Sequence, residues 1–286
     1  MVRILVIICL AATLLDCSSS DKSVAPVDAA TNEVITIEYA DSLWALRADT
    51  SNAQNALIAY RKLSESDSSS ISYWSKLSKA YYFCAQYLSH SATKRDSLFM
   101  EGYETSQTIL NQNESYRNLL FSTGEESMAV RGLDIGAIDA LYWGMANYGQ
   151  WLTTKGELVR IGQRDMIWTT LEHINDLDSN YYYGAYYRYK GALQARDPKF
   201  QADTEIIREA FEKAIELAPD YLGNYTLMAR YYCPLSKDKD LFYQLLTRVV
   251  TAQPNQNLPY YPENLYEREL AERLMIKAEK ENWFNL

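Results

Sequence analysis

The chain has 286 residues, of which 48% are hydrophobic and 23% are charged, a composition typical of a folded globular protein with a sizeable core. Its formal net charge of −9 argues against a nucleic-acid binder, because phosphate contacts need clustered Lys and Arg. With only 11 Gly and 7 Pro, the chain has few of the residues that form the many tight turns of a β-sandwich or β-barrel, which disfavours both folds.

The N-terminus has the pattern of a targeting signal. Arg3 precedes an unbroken apolar run over residues 4–15, too short to span a bilayer, which takes about 20 residues, but suited to secretion. Cys17 follows and resembles the acylated cysteine of bacterial lipoproteins, although Asp16 stands where a small residue is usual. We therefore predict a lipoprotein signal peptide over residues 1–16 and lipidation at Cys17; simple secretion and an uncleaved anchor are the alternatives.

Residues 17–33 lack periodic apolar positions, which indicates a flexible tether leading to a folded domain over residues 34–286. Because no later stretch is apolar for long enough to span a bilayer, we expect membrane attachment through the lipid anchor only. Direct membrane binding by the many tyrosines is disfavoured, since a chain with a net charge of −9 is repelled by anionic lipid.

Large and small residues recur at the spacing of tetratricopeptide (TPR) repeats. The stretch WSKLSKAY places Trp74, Ser78 and Tyr81 on the first-helix signature W-x2-L-G-x2-Y, with Ser in place of Gly. The stretch REAFEKAIELAPDY places Phe211 and Pro219 at the spacing that closes a repeat. Such spacings let the helices of a pair approach closely while large side chains fill the groove to the next pair.

The expected fold is all-α, with TPR-like helical hairpins stacked as an α-solenoid. The predicted hairpins and the final helix cover residues 36–66, 71–112, 136–178, 181–217, 221–253 and 262–281. We expect the final helix to be a cap on the open end of the stack. The role of residues 113–135 is not assigned. Cys84 and Cys233 are predicted to be buried free thiols, with a disulfide between them as the alternative.

Six tyrosines fall between Tyr181 and Tyr189, at the start of a predicted helix. At helical spacing Tyr182, Tyr186 and Tyr189 share one face, whereas Arg188 lies on a narrower face with two glycines. Packing against neighbouring helices is the simplest interpretation. Tyrosine hydroxyls need partners when buried, however, so the tyrosine face is also suited to the wall of a half-wet cavity.

The helix predicted over residues 136–152 has two non-polar faces, one of which carries Trp143, Asn147 and Trp151. A helix of this kind is either buried on both sides or lines a pocket. The Asn147 amide between two tryptophans must form hydrogen bonds with a neighbour or with a ligand. Both interpretations remain open at this stage.

These segments resemble a known family. The runs ALYWGMANYGQWL, LDSNYYYGAYYRYKGAL and AFEKAIELAPDYLGNYTLMARYYC resemble the TatT family of TPR lipoproteins, which are associated with tripartite (TRAP) transporters. The resemblance covers about residues 36–281. The positions that match it in the two aromatic helices are Tyr142, Trp143, Asn147, Trp151, Gly184, Arg188 and Gly191.

The resemblance implies a periplasmic lipoprotein. We expect it to be anchored to a membrane, with the outer membrane favoured. The resemblance also implies that the chain partners the substrate-binding subunit of a TRAP transporter. It further implies a homotrimer with a ligand-conducting pore or cleft.

Residues typical of catalysis are scarce. The two histidines, His90 and His173, are far apart in the sequence, and neither a metal-binding spacing nor a Gly-rich phosphate loop accompanies them. We therefore expect no enzyme, no metal and no cofactor.

The leading hypothesis is a membrane-tethered periplasmic helical-repeat protein that binds or relays a small organic or hydrophobic ligand. The candidate ligand-binding residues are Tyr142, Trp143, Asn147, Trp151, Tyr182, Tyr186, Arg188 and Tyr189. The alternative is a scaffold lipoprotein of the outer-membrane assembly type, which grips peptides or partner proteins in a concave groove.

Overall fold

The computed structural model describes residues 35–197 and 203–284. The proposed signal peptide, Cys17 and the tether lie outside these residues. Within the described stretches every regular element is helical, which confirms the all-α prediction. The helices are α1 Ile37–Ala45, α2 Thr50–Ser66, α3 Ile71–Phe83, α4 Ala92–Leu110, α5 Glu114–Thr123, α6 Glu126–Val130, α7 Ile138–Leu152, α8 Glu157–Leu177, α9 Tyr181–Arg196, α10 Thr204–Leu217, α11 Gly223–Ser236, α12 Lys239–Thr251 and α13 Tyr261–Lys280.

Short polar side chains set several helix starts. Asp49, Ser70, Ser91 and Asp238 each accept a hydrogen bond from a backbone N–H in the first turn of the helix that follows. These bonds satisfy donors that have no partner inside the helix. Helix α9 begins without such a side-chain cap, and the backbone of its first turn does not have α-helical angles.

Helices that follow one another in sequence pack together from α1 to α4 and again from α7 to α13. The segment without an assigned role, residues 113–135, contains α5 and α6, which pack on each other while α6 also contacts α8. Helix α7 therefore packs directly on α3 and α4. A short π-helix, Cys84–Leu88, extends α3.

Helix α13 packs on α11 and α12 as expected, but it also reaches the N-terminal hairpins. Arg47, just after α1, forms a 2.6 Å ion pair with Glu263, and both side chains are almost fully buried. Tyr266 donates a hydrogen bond to the carbonyl of Ala48. The final helix is therefore more than a cap on an open end, because it also contacts the first hairpin.

Cys84 and Cys233 are both buried and both free. The alternative of a disulfide between them is wrong, and the thiols fill the interior as small apolar groups. Burial raises the pKa of each thiol to about 12, so both remain protonated at neutral pH.

Candidate functional site

Helices α3, α7, α9, α11 and α13 enclose a cavity of about 40 Å³, here called the inner cavity. Its wall combines aromatic rings with charged groups. Residues that line it include Lys79, Tyr82, Tyr142, Trp143, Tyr182, Arg188, Tyr189, Tyr221, Arg230, Glu263 and Glu267. The contact of α13 with the N-terminal hairpins brings Glu263 and Glu267 to this wall.

A second and wider space, here called the outer cleft, has a volume of about 580 Å³. It lies between α1 to α3 and the segment that leads into α13. Its wall includes Asp41, Tyr60, Lys76, Tyr183 and Tyr260. Three residues, Trp44, Lys79 and Tyr182, line both spaces. We call these three residues the neck, since the two spaces meet there.

The first turn of α9 is left-handed. Tyr182, Tyr183 and Gly184 have φ values of 46°, 61° and 76°. For residues other than glycine this conformation costs roughly 1–2 kcal/mol each, so surrounding contacts must hold it. The Arg188 guanidinium donates hydrogen bonds of 3.1 and 2.9 Å to the carbonyls of Tyr182 and Tyr183. A side chain therefore locks the turn from within the same helix.

This turn changes which tyrosines share a face. The prediction that Tyr182, Tyr186 and Tyr189 lie on one helical face assumed a regular helix, which the first turn of α9 is not; all three pack against the same core, but only Tyr182 and Tyr189 line the inner cavity. The Tyr182 ring lies at the neck, 4.9 Å from the Trp143 ring between centroids. Tyr189 lines the inner cavity, whereas the Tyr186 ring contacts Tyr187 outside it.

Arg188 lies at the centre of the aromatic wall and is 2% exposed. It donates a 2.7 Å hydrogen bond to the Tyr142 hydroxyl, and its guanidinium lies 4.8 Å from the Tyr221 ring centroid. Among the described residues no carboxylate lies within 4 Å of it. We expected only the tyrosine face to form a cavity wall; Arg188, on the other face, lines the cavity as well.

The tyrosines around Arg188 pack edge to face or tilted. The Tyr142 ring lies 4.9 Å from Tyr182 and 5.9 Å from Tyr189. The hydroxyls of Tyr82 and Tyr189 are 3.3 Å apart. Burial raises the pKa of these phenols, which therefore stay neutral near pH 7 and serve as hydrogen-bond donors and acceptors.

Lys79, at the neck, was not among the residues singled out from the sequence. Its ammonium lies 5.5 Å from the Trp44 ring centroid, 5.5 Å from that of Trp143 and 5.3 Å from that of Tyr182. Burial lowers its pKa. The repeat motif in WSKLSKAY did not indicate the role of Lys79, because the motif allows any residue at this position.

Glu267 brings a carboxyl group to the inner cavity from α13. Its Oε1 accepts a 2.8 Å hydrogen bond from the Tyr87 hydroxyl, and its Oε2 has no partner among the described residues. Burial raises the pKa of this carboxyl above the ordinary value of 4.5.

Two further predicted residues lie elsewhere. Asn147 is fully buried where α3, α4 and α7 cross, and its amide donates to the carbonyls of Ser78 and Trp143 at 3.1 and 2.8 Å. It lines neither the inner cavity nor the outer cleft. Trp151 stacks on Tyr148 and lines a separate, open surface cleft.

Membrane-spanning helices and metal-binding clusters are both absent from the described residues. No helix in residues 35–197 or 203–284 is both long and apolar enough to cross a membrane. The same stretches contain no group of His, Cys, Asp and Glu that could hold a metal ion.

Comparison with protein families gives one match. The family model TAtT, described as TRAP transporter T-component, matches residues 87–284, which is more than two thirds of the chain. The matched range includes α7, α9 and α13 and therefore most of the inner-cavity wall. The comparison with curated proteins finds no match.

Proposed function

The chain belongs to the TRAP transporter T-component family, and on that premise we propose that it binds a small organic ligand in its central cavity for such a transporter. Family membership implies association with a TRAP transporter. The ligand site, the partner subunit and the membrane tether are the proposed parts.

One observation carries the ligand site. Five of the eight residues singled out from the sequence line a single space, although they come from two separate helices. These five are Tyr142, Trp143, Tyr182, Arg188 and Tyr189. Concave, largely apolar sites with a few convergent polar groups are the usual form of small-molecule sites. The left-handed turn that holds Tyr182 at this wall is the kind of strained backbone that proteins keep at functional positions.

We also propose a TPR-like arrangement of the hairpins. Support comes from the crossing of α3, α4 and α7, where small residues allow close approach. The Ser78 hydroxyl, at the small position of the repeat motif, donates to the carbonyl of Gly102 at 2.8 Å. A Cβ added to Gly144 would meet the Ser106 side chain at 2.9 Å.

The remaining parts of the proposal concern location and assembly. A signal peptide over residues 1–16 and acylation of Cys17 would hold the domain at the periplasmic side of a membrane, with the outer membrane favoured. The direct partner would be the transporter's substrate-binding subunit, and the chain would assemble as a trimer. Light scattering on the purified chain tests the trimer, which requires a mass of three copies. Mass spectrometry of the N-terminal peptide tests the acylation.

A binding screen tests the ligand site. The full chain in lipid nanodiscs is screened by saturation-transfer NMR against small organic acids, amides and alcohols. The variant Trp143→Leu removes an indole from the inner-cavity wall, whereas the control Trp151→Leu removes one from the separate surface cleft. We expect Trp143→Leu to weaken binding about tenfold or more, in keeping with the loss of a well-packed aromatic contact, and Trp151→Leu to leave binding unchanged. If no compound binds, or if Trp143→Leu binds as the wild type does, the ligand site is refuted.

Isolation of the tagged chain from native membranes tests the partner. Recovery of the TRAP substrate-binding subunit is the expected result. Recovery of barrel-assembly proteins in its place would favour the scaffold function and contradict the proposal.

A further inference from the structure

Lys79 is a cation in an aromatic cage that provides no anion. Trp44, Trp143 and Tyr182 place their rings within 5.5 Å of its ammonium. Among the described residues, no oxygen accepts a hydrogen bond from this ammonium and no carboxylate lies within 4 Å. Rings stabilise a cation through their negative faces but leave its three N–H donors unused.

Neither carboxylate near the neck forms an ion pair with Lys79. Glu263 is held by the ion pair with Arg47, and Glu267 accepts a hydrogen bond from Tyr87 at one oxygen while its other oxygen has no partner among the described residues. Arg188 and Arg230 also line the inner cavity, and neither has a carboxylate within 4 Å among the described residues. The cavity therefore carries uncompensated positive charge, although the whole chain has a net charge of −9. Buried charge of this kind is costly unless something pairs with it.

Lys76 provides an internal comparison. It lies one turn before Lys79 on α3 and also lines the outer cleft, but its ammonium forms a 2.6 Å ion pair with Asp41. Lys76 therefore has an ion-pair partner, whereas Lys79 has aromatic contacts alone.

The volumes limit how a ligand fits. The inner cavity, at about 40 Å³, has room for a few atoms of a polar group, since one water-sized probe occupies roughly 10–15 Å³. The outer cleft, at about 580 Å³, has room for an organic body. Lys79 lies where the two spaces meet.

We propose that Lys79 is the anion-binding group of this site, and that it pairs with the negatively charged end of an organic anion whose body lies in the outer cleft. This inference rests on the proposed ligand site and specifies its chemistry. Burial lowers the pKa of Lys79 although Glu263 and Asp139 act in the opposite direction, and an anion bound directly to the ammonium would raise this pKa again.

Matched pairs of compounds test the inference. Hexanoate and its neutral counterpart hexanamide, and benzoate and benzamide, are titrated into the full chain in nanodiscs. We expect the wild type to prefer the anion of each pair. Lys79→Met, which keeps the bulk and removes the charge, is expected to weaken anion binding about tenfold or more and to leave the amides unaffected. Lys79→Arg should retain the preference, and Lys76→Met is the control that should not change it.

Thermal melting provides a second readout that does not need a ligand. Removal of an unpaired, partly buried charge should raise the melting temperature of Lys79→Met, whereas Lys76→Met, which breaks an ion pair, should not raise it. A binding role of Lys79 lowers the stability of the free protein, whereas a purely structural role raises it. The ligand titrations and the melting temperatures together distinguish these two roles.

Three results would overturn the inference. If Lys79→Met retains the preference for the anion while Trp143→Leu abolishes binding, the ligand site stands and the role of Lys79 fails. Equal binding of anion and amide by the wild type leads to the same conclusion. If neither compound of either pair binds the wild type, the ligand site and the inference fail together.

Discussion

At the scale of single residues, Asn147 illustrates a polar group whose role is set by its neighbours. Its amide satisfies carbonyls of α3 and α7, and a Cβ added to Gly102 would meet it at 2.5 Å. We predict that Asn147→Ala lowers the free energy of unfolding by about 1–3 kcal/mol, because the hydrogen bonds of a fully buried amide to Ser78 and Trp143 are lost. Urea denaturation measures this, and the binding of any compound found for the cavity should be unchanged. Lost binding with unchanged stability would contradict this structural role.

Glu267 gives a pH-dependent prediction. Burial raises its folded-state pKa above 4.5, so its contribution to stability is present below the unfolded pKa and is lost as pH rises through the folded pKa. Glu267→Gln removes this dependence while its amide oxygen still accepts from Tyr87. We expect the variant to be more stable than the wild type near pH 7, with the difference vanishing below about pH 4.

Urea denaturation at several pH values measures the difference. Glu212→Gln, which removes an exposed, ion-paired glutamate on α10, is the control, and it should not raise the stability near pH 7. A wild type that stays as stable as Glu267→Gln at every pH would contradict the raised pKa.

The sequence indicated some of these residues and not others. Trp143 was predicted at the site because aromatic residues at helical spacing mark buried faces, and Tyr142 because it matches the family resemblance. Lys79 carried no such mark, since its importance depends on which rings surround it and on the absence of a nearby carboxylate. Asn147 could not be assigned either, because its partners lie on α3, far away in sequence.

At the scale of elements, the first turn of α9 is the most unusual feature. Gly184 has a φ of 76°, and a Cβ there would lie 3.0 Å from the Ala214 carbonyl oxygen. We predict that Gly184→Ala lowers the free energy of unfolding by roughly 1–2 kcal/mol or more from the backbone alone, with added cost from the contact.

Gly149→Ala is the matched control for this prediction. Gly149 lies within α7, and a Cβ there would meet nothing within 4 Å. Alanine at that position should be neutral or stabilise the helix by about 0.5–1 kcal/mol. Chemical denaturation compares the two variants, and equal effects would contradict the left-handed turn.

Helix positions were predictable from the sequence, because the apolar period and the capping residues are local signals. Each predicted hairpin coincides with a pair of observed helices, such as residues 71–112 with α3 and α4. The left-handed turn was not predictable, since the contacts that hold it come from Arg188 and from α10. The helical-face argument assumed a regular first turn, and it did not indicate that Tyr186 lies outside the inner cavity.

At the scale of the whole molecule, the contact between α13 and the N-terminal hairpins closes the central space. The buried pair of Arg47 and Glu263 lies at this contact. We predict that Arg47→Met lowers the free energy of unfolding by about 3–5 kcal/mol, because Glu263 is left as an uncompensated buried charge. The double variant with Glu263→Gln should recover part of the loss.

Arg208→Ala provides the control for this prediction. Its ion pair with Glu212 is exposed on α10, so its loss should change the free energy of unfolding little. Equal losses for Arg47→Met and Arg208→Ala would contradict a closure that depends on the buried pair.

The sequence predicted α13 but not its second set of contacts. Its spacing of apolar residues indicates a helix that packs on something, and the neighbouring hairpin was the natural partner. The apolar spacing gives no indication that Glu263 and Glu267 are buried, whereas the structure buries both. Long-range ion pairs of this kind leave no local signal.

We expect a ligand to occupy the space enclosed by α7, α9 and α13, and a crystal structure of the full chain soaked with hexanoate shows whether it does. Difference density is expected at the neck, with a carboxylate oxygen within hydrogen-bonding distance of the Lys79 ammonium. The alkyl chain is expected to lie in the outer cleft. Density for hexanoate only at another surface, or an unchanged neck at saturating hexanoate, would contradict the account.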